Sequence, residues 1–220
     1  MIKWMNYRIL YFAISAIFLC AGIFSLFKWG LKLGIDFTGG VVAEYKMADG
    51  EIKNFKYGVS SDQEIDKIRE NFKSQKATEL KFETVGPSIG PELIKKTVYA
   101  LIISTLLILL WVAIQFKNIK FGVSATLATL HDSLILLGSF SLLGHFANVE
   151  VDFLFVTAML TFLSFSVHDT IVVYDRIREK QKKYDPAFGT DITTIANSAL
   201  TETMVRSLNN SFTIIFMLLA

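Results

Sequence analysis

Residues 153–176 read FLFVTAMLTFLSFSVHDTIVVYDR. The first fifteen carry no charge, then His168 and Asp169 arrive side by side before the apolar pattern resumes. An apolar run of about 20 residues spans the ~30 Å of bilayer hydrocarbon. A carboxylate inside such a run is expensive, and its presence raises a question of function before one of packing. The stretch also has an echo. Residues 129–137 read TLHDSLILL, so His-Asp, a hydroxyl residue and aliphatics occur twice.

Working outward, the whole chain fits this reading. It has 220 residues, 52% of them hydrophobic and only 19% charged, whereas soluble domains carry about 25% charge. A net charge of +2 gives nucleic acid no electrostatic reason to bind. The single cysteine, Cys20, allows no intrachain disulfide and no thiolate metal cluster. Leu19 before it does not suit a lipidation signal. No GxxxxGK[ST] loop occurs, which excludes a P-loop ATPase and leaves any energy coupling to something other than that fold of nucleotide hydrolysis. No cofactor is implied.

Spans are expected at 9–27, 97–116, 121–145 and 153–175, with a fifth beginning in 205–220. Sixteen residues reach only ~24 Å, so the chain reads as a fragment whose natural C-terminus lies further on. Residues 9–27 could instead be a signal peptide, but their length and the lack of an A-x-A-like site favour an uncleaved anchor. Orientation follows from the short flanks. Lys3 and Arg8 precede span one, Lys117 and Lys120 separate spans two and three, and Arg176, Arg178, Lys180, Lys182 and Lys183 follow span four. The connection ANVEVDF (146–152) has no positive charge. The N-terminus (1–8) and the basic loop 176–204 are therefore expected in the cytoplasm, and 28–96 outside.

That outer segment has the pattern of a fold. VVAEYKM (41–47), KNFKYGV (53–59) and ELKFETV (79–85) alternate as strands. Between the last two, a capping box at Ser61–Glu64 opens a helix with Ile65, Ile68 and Phe72 at helical spacing. The fold class expected is thus a polytopic α-helical membrane protein with a small α+β domain, ferredoxin-like or half-ferredoxin, between spans one and two. GPSIGP (86–91) reads as a stiff, non-helical hinge into span two.

The buried ionisable groups are the candidate site. Asp132 and Asp169 are carboxylates within spans, for which a functional role is the default. His131 and His168 are weaker candidates. Adjacent helical residues point about 100° apart, so neither is expected to pair with its neighbouring aspartate, and a satisfied interior histidine is the plain alternative. No ligand spacing marks a metal site. Asp175 and Arg176 read as a boundary pair. Arg206 opens the fifth span, followed by Ser207, Asn209, Asn210 and Ser211, a polar run that should face other helices or a water-filled cavity.

Three stretches, LGIDFTGG (33–40), VGPSIGPEL (85–93) and SVHDTIVVYDRIRE (166–179), in this order and at these places, resemble the SecF family of the RND superfamily. The residues carrying the likeness in the first two are Gly34, Asp36, Phe37, Thr38, Gly39, Gly40, Gly86, Pro87, Ser88 and Gly90. The resemblance implies a six-span subunit that is not an enzyme. It would work with a SecD-like subunit beside the SecYEG translocon in a bacterial-type cytoplasmic membrane, acting on an unfolded preprotein in transit. It further implies that proton movement is coupled to export, with Asp169 and Arg206 at the family's essential acid and arginine and Asp132 at a second recurring acid. His131, His168, Asn210 and Ser211 would be accessories. His168 departs from the asparagine many members carry there, and Asn209-Asn210 departs from a Thr/Ser-rich pattern. The alternatives are a passive membrane scaffold and half of a small-molecule RND exporter.

Overall fold

The computed structural model describes residues 3–47, 50–58, 62–74, 77–86, 89–116, 119–183 and 191–219. After a 3-10 turn at Trp4–Tyr7 come the helices α1 (Arg8–Lys28) and α2 (Ile35–Thr38), then strands β1 (Gly40–Lys46) and β2 (Ile52–Tyr57). Helix α3 (Asp62–Ser74) and strand β3 (Thr78–Val85) follow, and the chain ends in the long helices α4 (Ile89–Phe116), α5 (Ile119–Ala147), α6 (Phe153–Lys183) and α7 (Ile192–Leu219).

Four helical segments, Trp4–Lys28, Gly90–Ile114, Lys120–Ala147 and Phe153–Lys183, are long and apolar enough to cross a membrane. Their large side chains point outward: Ile9, Phe12, Ile17, Leu106, Leu110 and Leu127 are all exposed. Water would penalise such a surface, and a bilayer would not. The interior instead holds small and hydroxyl residues, with Ser25, Thr129, Ser141 and Ala199 buried, which lets helix backbones approach without a hydrophobic drive. This is a multi-pass helical membrane protein.

The three strands form an antiparallel sheet in the order β2-β1-β3. Val41, Ala43 and Tyr45 on central β1 are at most 1% exposed. Alternation puts them on one face, where Phe72 of α3 stacks on Tyr45 with ring centroids 4.2 Å apart. The strand–strand–helix–strand order is the one the alternation predicts. Ser61 of the expected capping box lies outside the described residues, as do Pro87 and Ser88 of the hinge. The hinge expectation needs one correction: α4 already begins at Ile89, so Gly90 and Pro91 are helical. A proline in the first turn loses no intrahelical bond, because its N–H would have had no partner there. Likewise the segment 176–204, expected as a loop, continues α6 as far as Lys183 and enters α7 at Ile192.

Candidate functional site

Near the sheet, the LGIDFTGG stretch ties three elements together. The Gly34 N–H donates to the Val151 carbonyl (2.8 Å) and the Val151 N–H to the Lys32 carbonyl (2.7 Å). Asp36 Oδ2 accepts from the Phe153 N–H at 2.9 Å, a carboxylate at the N-terminus of α6 where the helix dipole favours it. Thr38 Oγ1 closes its own turn by donating to the Gly34 carbonyl at 3.0 Å. Phe37, 4% exposed, enters an apolar cluster with Val151, Phe155, Val156, Met159 and Leu163.

The two glycines that follow are required by geometry. Gly39 has φ +72° and Gly40 +126°, and a Cβ on Gly40 would stand 2.5 Å from the Tyr57 carbonyl oxygen. The second motif meets the first here. A Cβ on Gly90 would lie 2.6 Å from the Phe37 carbonyl oxygen, so α4 starts in contact with α2. Gly86 follows the last residue of β3. From the sheet side, Lys56 donates to Glu150 at 2.6 Å, tying β2 to the α5–α6 connection.

Helices α1 and α5 pack in parallel register. Ser15 meets His131, Gly22 meets Gly138, Ser25 bonds Ser141 at 2.7 Å and, just past the ends of both helices, Lys32 bonds Asn148 at 3.0 Å. Each pair has the same sequence offset, 116, as side-by-side helices running in one direction require. Spacings of seven and three residues keep these contacts on one seam.

The acids sit half-buried along α5 and α6. His131 Nδ1 is 3.0 Å from Asp132 Oδ1, and Ser166 Oγ donates to Asp132 Oδ2 at 2.5 Å. Asp169 follows Ser166 by three residues, ~4.5 Å along α6, and its Oδ1 accepts from Asn210 Nδ2 of α7 at 3.1 Å. Arg206, one turn earlier on α7, reaches His168 Nε2 at 3.5 Å. Ser211 bonds back to the Ser207 carbonyl of its own helix. One sequence expectation therefore changes. His131 does pair with its neighbour, its Nδ1 standing 3.0 Å from Asp132 Oδ1. Arg206 meets the histidine of the motif, and Asn210 meets the acid. Ser15 and Ser166 were missed as partners, since a serine in a span gives no signal until its neighbours are known. Among the described residues no three His, Cys, Asp or Glu side chains gather as a metal site.

At the far end of α6 the charges interlock. Arg176 bonds Glu202 of α7 at 2.7 Å and also pairs with Glu179, while Lys180 reaches Glu202 at 2.5 Å. Arg176, expected with Asp175 at the membrane boundary, thus bonds carboxylates of α6 and α7. Hydrogen bonds from Lys180 and then Arg176 hold the Glu202 carboxyl down at about 2. The N-terminal turn joins the same end: Trp4 Nε1 donates to Thr201 Oγ1 at 3.2 Å and the Met5 N–H to Asn197 Oδ1 at 2.9 Å.

Comparison with known proteins agrees with this geometry. The chain matches the family described as "Protein export membrane protein SecD/SecF, C-terminal" over residues 64–220 and the "SecD/SecF GG Motif" over residues 24–49. It is 34% identical to the protein translocase subunit SecF of Thermobaculum terrenum, over all of this chain and 82% of that one. It is 30% identical to the protein translocase subunit SecDF of Bacillus subtilis, over 93% of this chain but only 31% of the relative. The crystal structure of SecDF from Thermus thermophilus, a translocon-associated membrane protein, superposes with a TM-score of 0.82 at 30% identity, over 97% of this chain and 32% of that one. This chain belongs to the SecD/SecF family of protein-export membrane proteins.

Proposed function

We propose that this chain is a SecF-type accessory subunit of the Sec protein translocase, coupling proton movement through its helices to export of preproteins. In this reading the N-terminus and the α6–α7 junction face the cytoplasm, the sheet domain lies outside, and a SecD-like subunit supplies the other half of the membrane part. The SecDF relatives, of which this chain covers about a third, support a SecD-like partner. SecYEG, the preprotein and the cytoplasmic membrane follow from the family's role. The contact of Trp4 with Thr201 supports one common side for the N-terminus and α7, and the bonds of Gly34 and Lys56 to the α5–α6 connection support the opposite side for the sheet.

One observation carries the coupling: a single helix, α6, holds Asp169 within the membrane part and is bolted at its N-terminal end to the GG motif through Asp36. A carboxylate there gains or loses a full charge on titration. Its Oδ1 holds the Asn210 amide of α7 at 3.1 Å. A change of charge at Asp169 therefore changes how α6 packs on α7, and a stiff helix delivers that shift to the sheet domain. No phosphate-binding loop is needed for such a cycle.

The test is Asp169→Asn in membrane vesicles that contain the assembled translocase. Stimulation of preprotein translocation by the proton-motive force should be lost, while co-purification with the SecD-like subunit persists. Translocation at the wild-type rate would overturn the coupling and leave a passive scaffold.

A further inference from the structure

The hydrogen bonds around His131 form an unbroken chain across three helices. Ser15 of α1 meets His131 Nε2, His131 Nδ1 faces Asp132 Oδ1 at 3.0 Å, and Ser166 of α6 faces Asp132 Oδ2 at 2.5 Å. The bond directions follow once the charge states are assigned. With Asp132 ionised and the ring neutral, the carboxylate can only accept, so the imidazole proton sits on Nδ1 and the Ser166 hydroxyl donates. Nε2 is then the acceptor, and the Ser15 hydroxyl is its donor. A purely structural side chain at 131 would need no titratable group in series with a carboxylate. Here both ring nitrogens and both carboxylate oxygens are engaged, and the last member stands one turn from Asp169 on the same face of α6.

We propose that Ser15, His131, Asp132 and Ser166 are a proton wire within this chain, with His131 as its transfer group and Asp169 as its destination; this rests on the proton-coupled reading above. A proton arriving from the Ser15 side binds Nε2 and makes the imidazolium. The Nδ1–H bond then breaks as the Asp132 Oδ1–H bond forms, leaving a neutral ring and a neutral acid. The Asp132 carboxyl then turns its O–H toward Ser166 and the serine hydroxyl turns toward Asp169. Ser166 Oγ takes the Asp132 proton as its own O–H proton leaves for the Asp169 carboxylate. The ring regains its Nδ1–H form by giving its Nε2 proton to water and taking one from water at Nδ1. Other ionisable groups near the wire are few. Between Arg8 and Lys28, α1 has only Tyr11 and Cys20; α4 has none from Ala100 to Phe116; α6 brings His168 and Asp169.

The experiment uses the complex with its SecD-like subunit in liposomes, with a pH-sensitive dye reporting proton flux under an imposed gradient. His131→Asn keeps a polar amide but cannot transfer a proton, and should lower flux at least ~10-fold and flatten its pH profile. Ser15→Ala should lower it too, and it decides the matter if the histidine variant folds poorly. Wild-type flux and pH profile in Ser15→Ala or in a folded His131→Asn, beside a silent Asp169→Asn, would overturn the wire and spare the coupling. Wild-type flux in Asp169→Asn would overturn both.

Discussion

Adding one methyl group where α1 crosses α5 should measurably loosen the membrane part. A Cβ on Gly138 would stand 2.4 Å from the Gly22 Cα and 2.9 Å from its carbonyl carbon. Carbon atoms rest at about 3.5–4.0 Å, so in Gly138→Ala the helices must separate by about 1.1 Å or more. Neither contact atom is a flexible side-chain tip that could swing aside. Carried one turn along the seam, that shift stretches the Ser25–Ser141 bond from 2.7 Å to about 3.8 Å, beyond hydrogen-bonding range. Overpacking costs about 1–3 kcal/mol and a lost interhelical bond about 0.6 kcal/mol, against about 0.5–1 kcal/mol returned by alanine in a helix. The net expectation is a loss of about 1–3 kcal/mol. Gly122→Ala is the control. Its Cβ would meet the Ala113 Cα at 3.6 Å, an ordinary contact, so only the helix gain of about 0.5–1 kcal/mol remains. Reversible unfolding in mixed detergent micelles reads both. If Gly138→Ala proves as stable as Gly122→Ala, the close parallel crossing of α1 and α5 is wrong.

Gly40→Ala should destabilise the sheet domain by about 1–3 kcal/mol of backbone strain, since φ is +126° and the Tyr57 oxygen stands 2.5 Å from the new methyl; limited proteolysis of β1–β3 should accelerate, and unchanged resistance would refute the assignment. His168→Asn should retain most translocation activity, because an amide oxygen can accept from Arg206 as Nε2 does at 3.5 Å. Full loss would show that the ring itself must titrate. Glu202 is depressed from its ordinary 4.5 to about 2, so its contribution to α6–α7 docking is complete above pH 4.5 and is lost as pH falls through about 2. Spin labels near the ends of α6 and α7 should therefore hold their separation from neutral pH to 4.5, and broadening already above 4.5 would contradict the cluster.

Periodicity and composition were enough to read the helices and the strand–strand–helix–strand order, because lipid contact and one-sided burial each leave a pattern in consecutive residues. What escaped the sequence is what depends on rotation about a helix axis. His168 and Asp169 are neighbours in sequence, and Arg206 and Asn210 are one turn apart; which of the second pair meets which of the first is set by how α7 is turned against α6. The same holds for Ser15 and Ser166, hydroxyls of no apparent note until the α1–α5 register brings one to His131 and α6 brings the other to Asp132. The non-helical hinge failed for a different reason. Proline penalises a helix interior, and the rule has no force in the first turn, where Gly90 is held against the Phe37 carbonyl. That contact gives the two glycine-rich motifs a common physical cause. Gly90 allows α4 to start on α2, Asp36 on α2 caps α6, and α6 carries Asp169. Motifs separated by most of the chain are thus successive links between the sheet domain and Asp169. A substitution that severs any one link should disturb coupling without touching a titratable group.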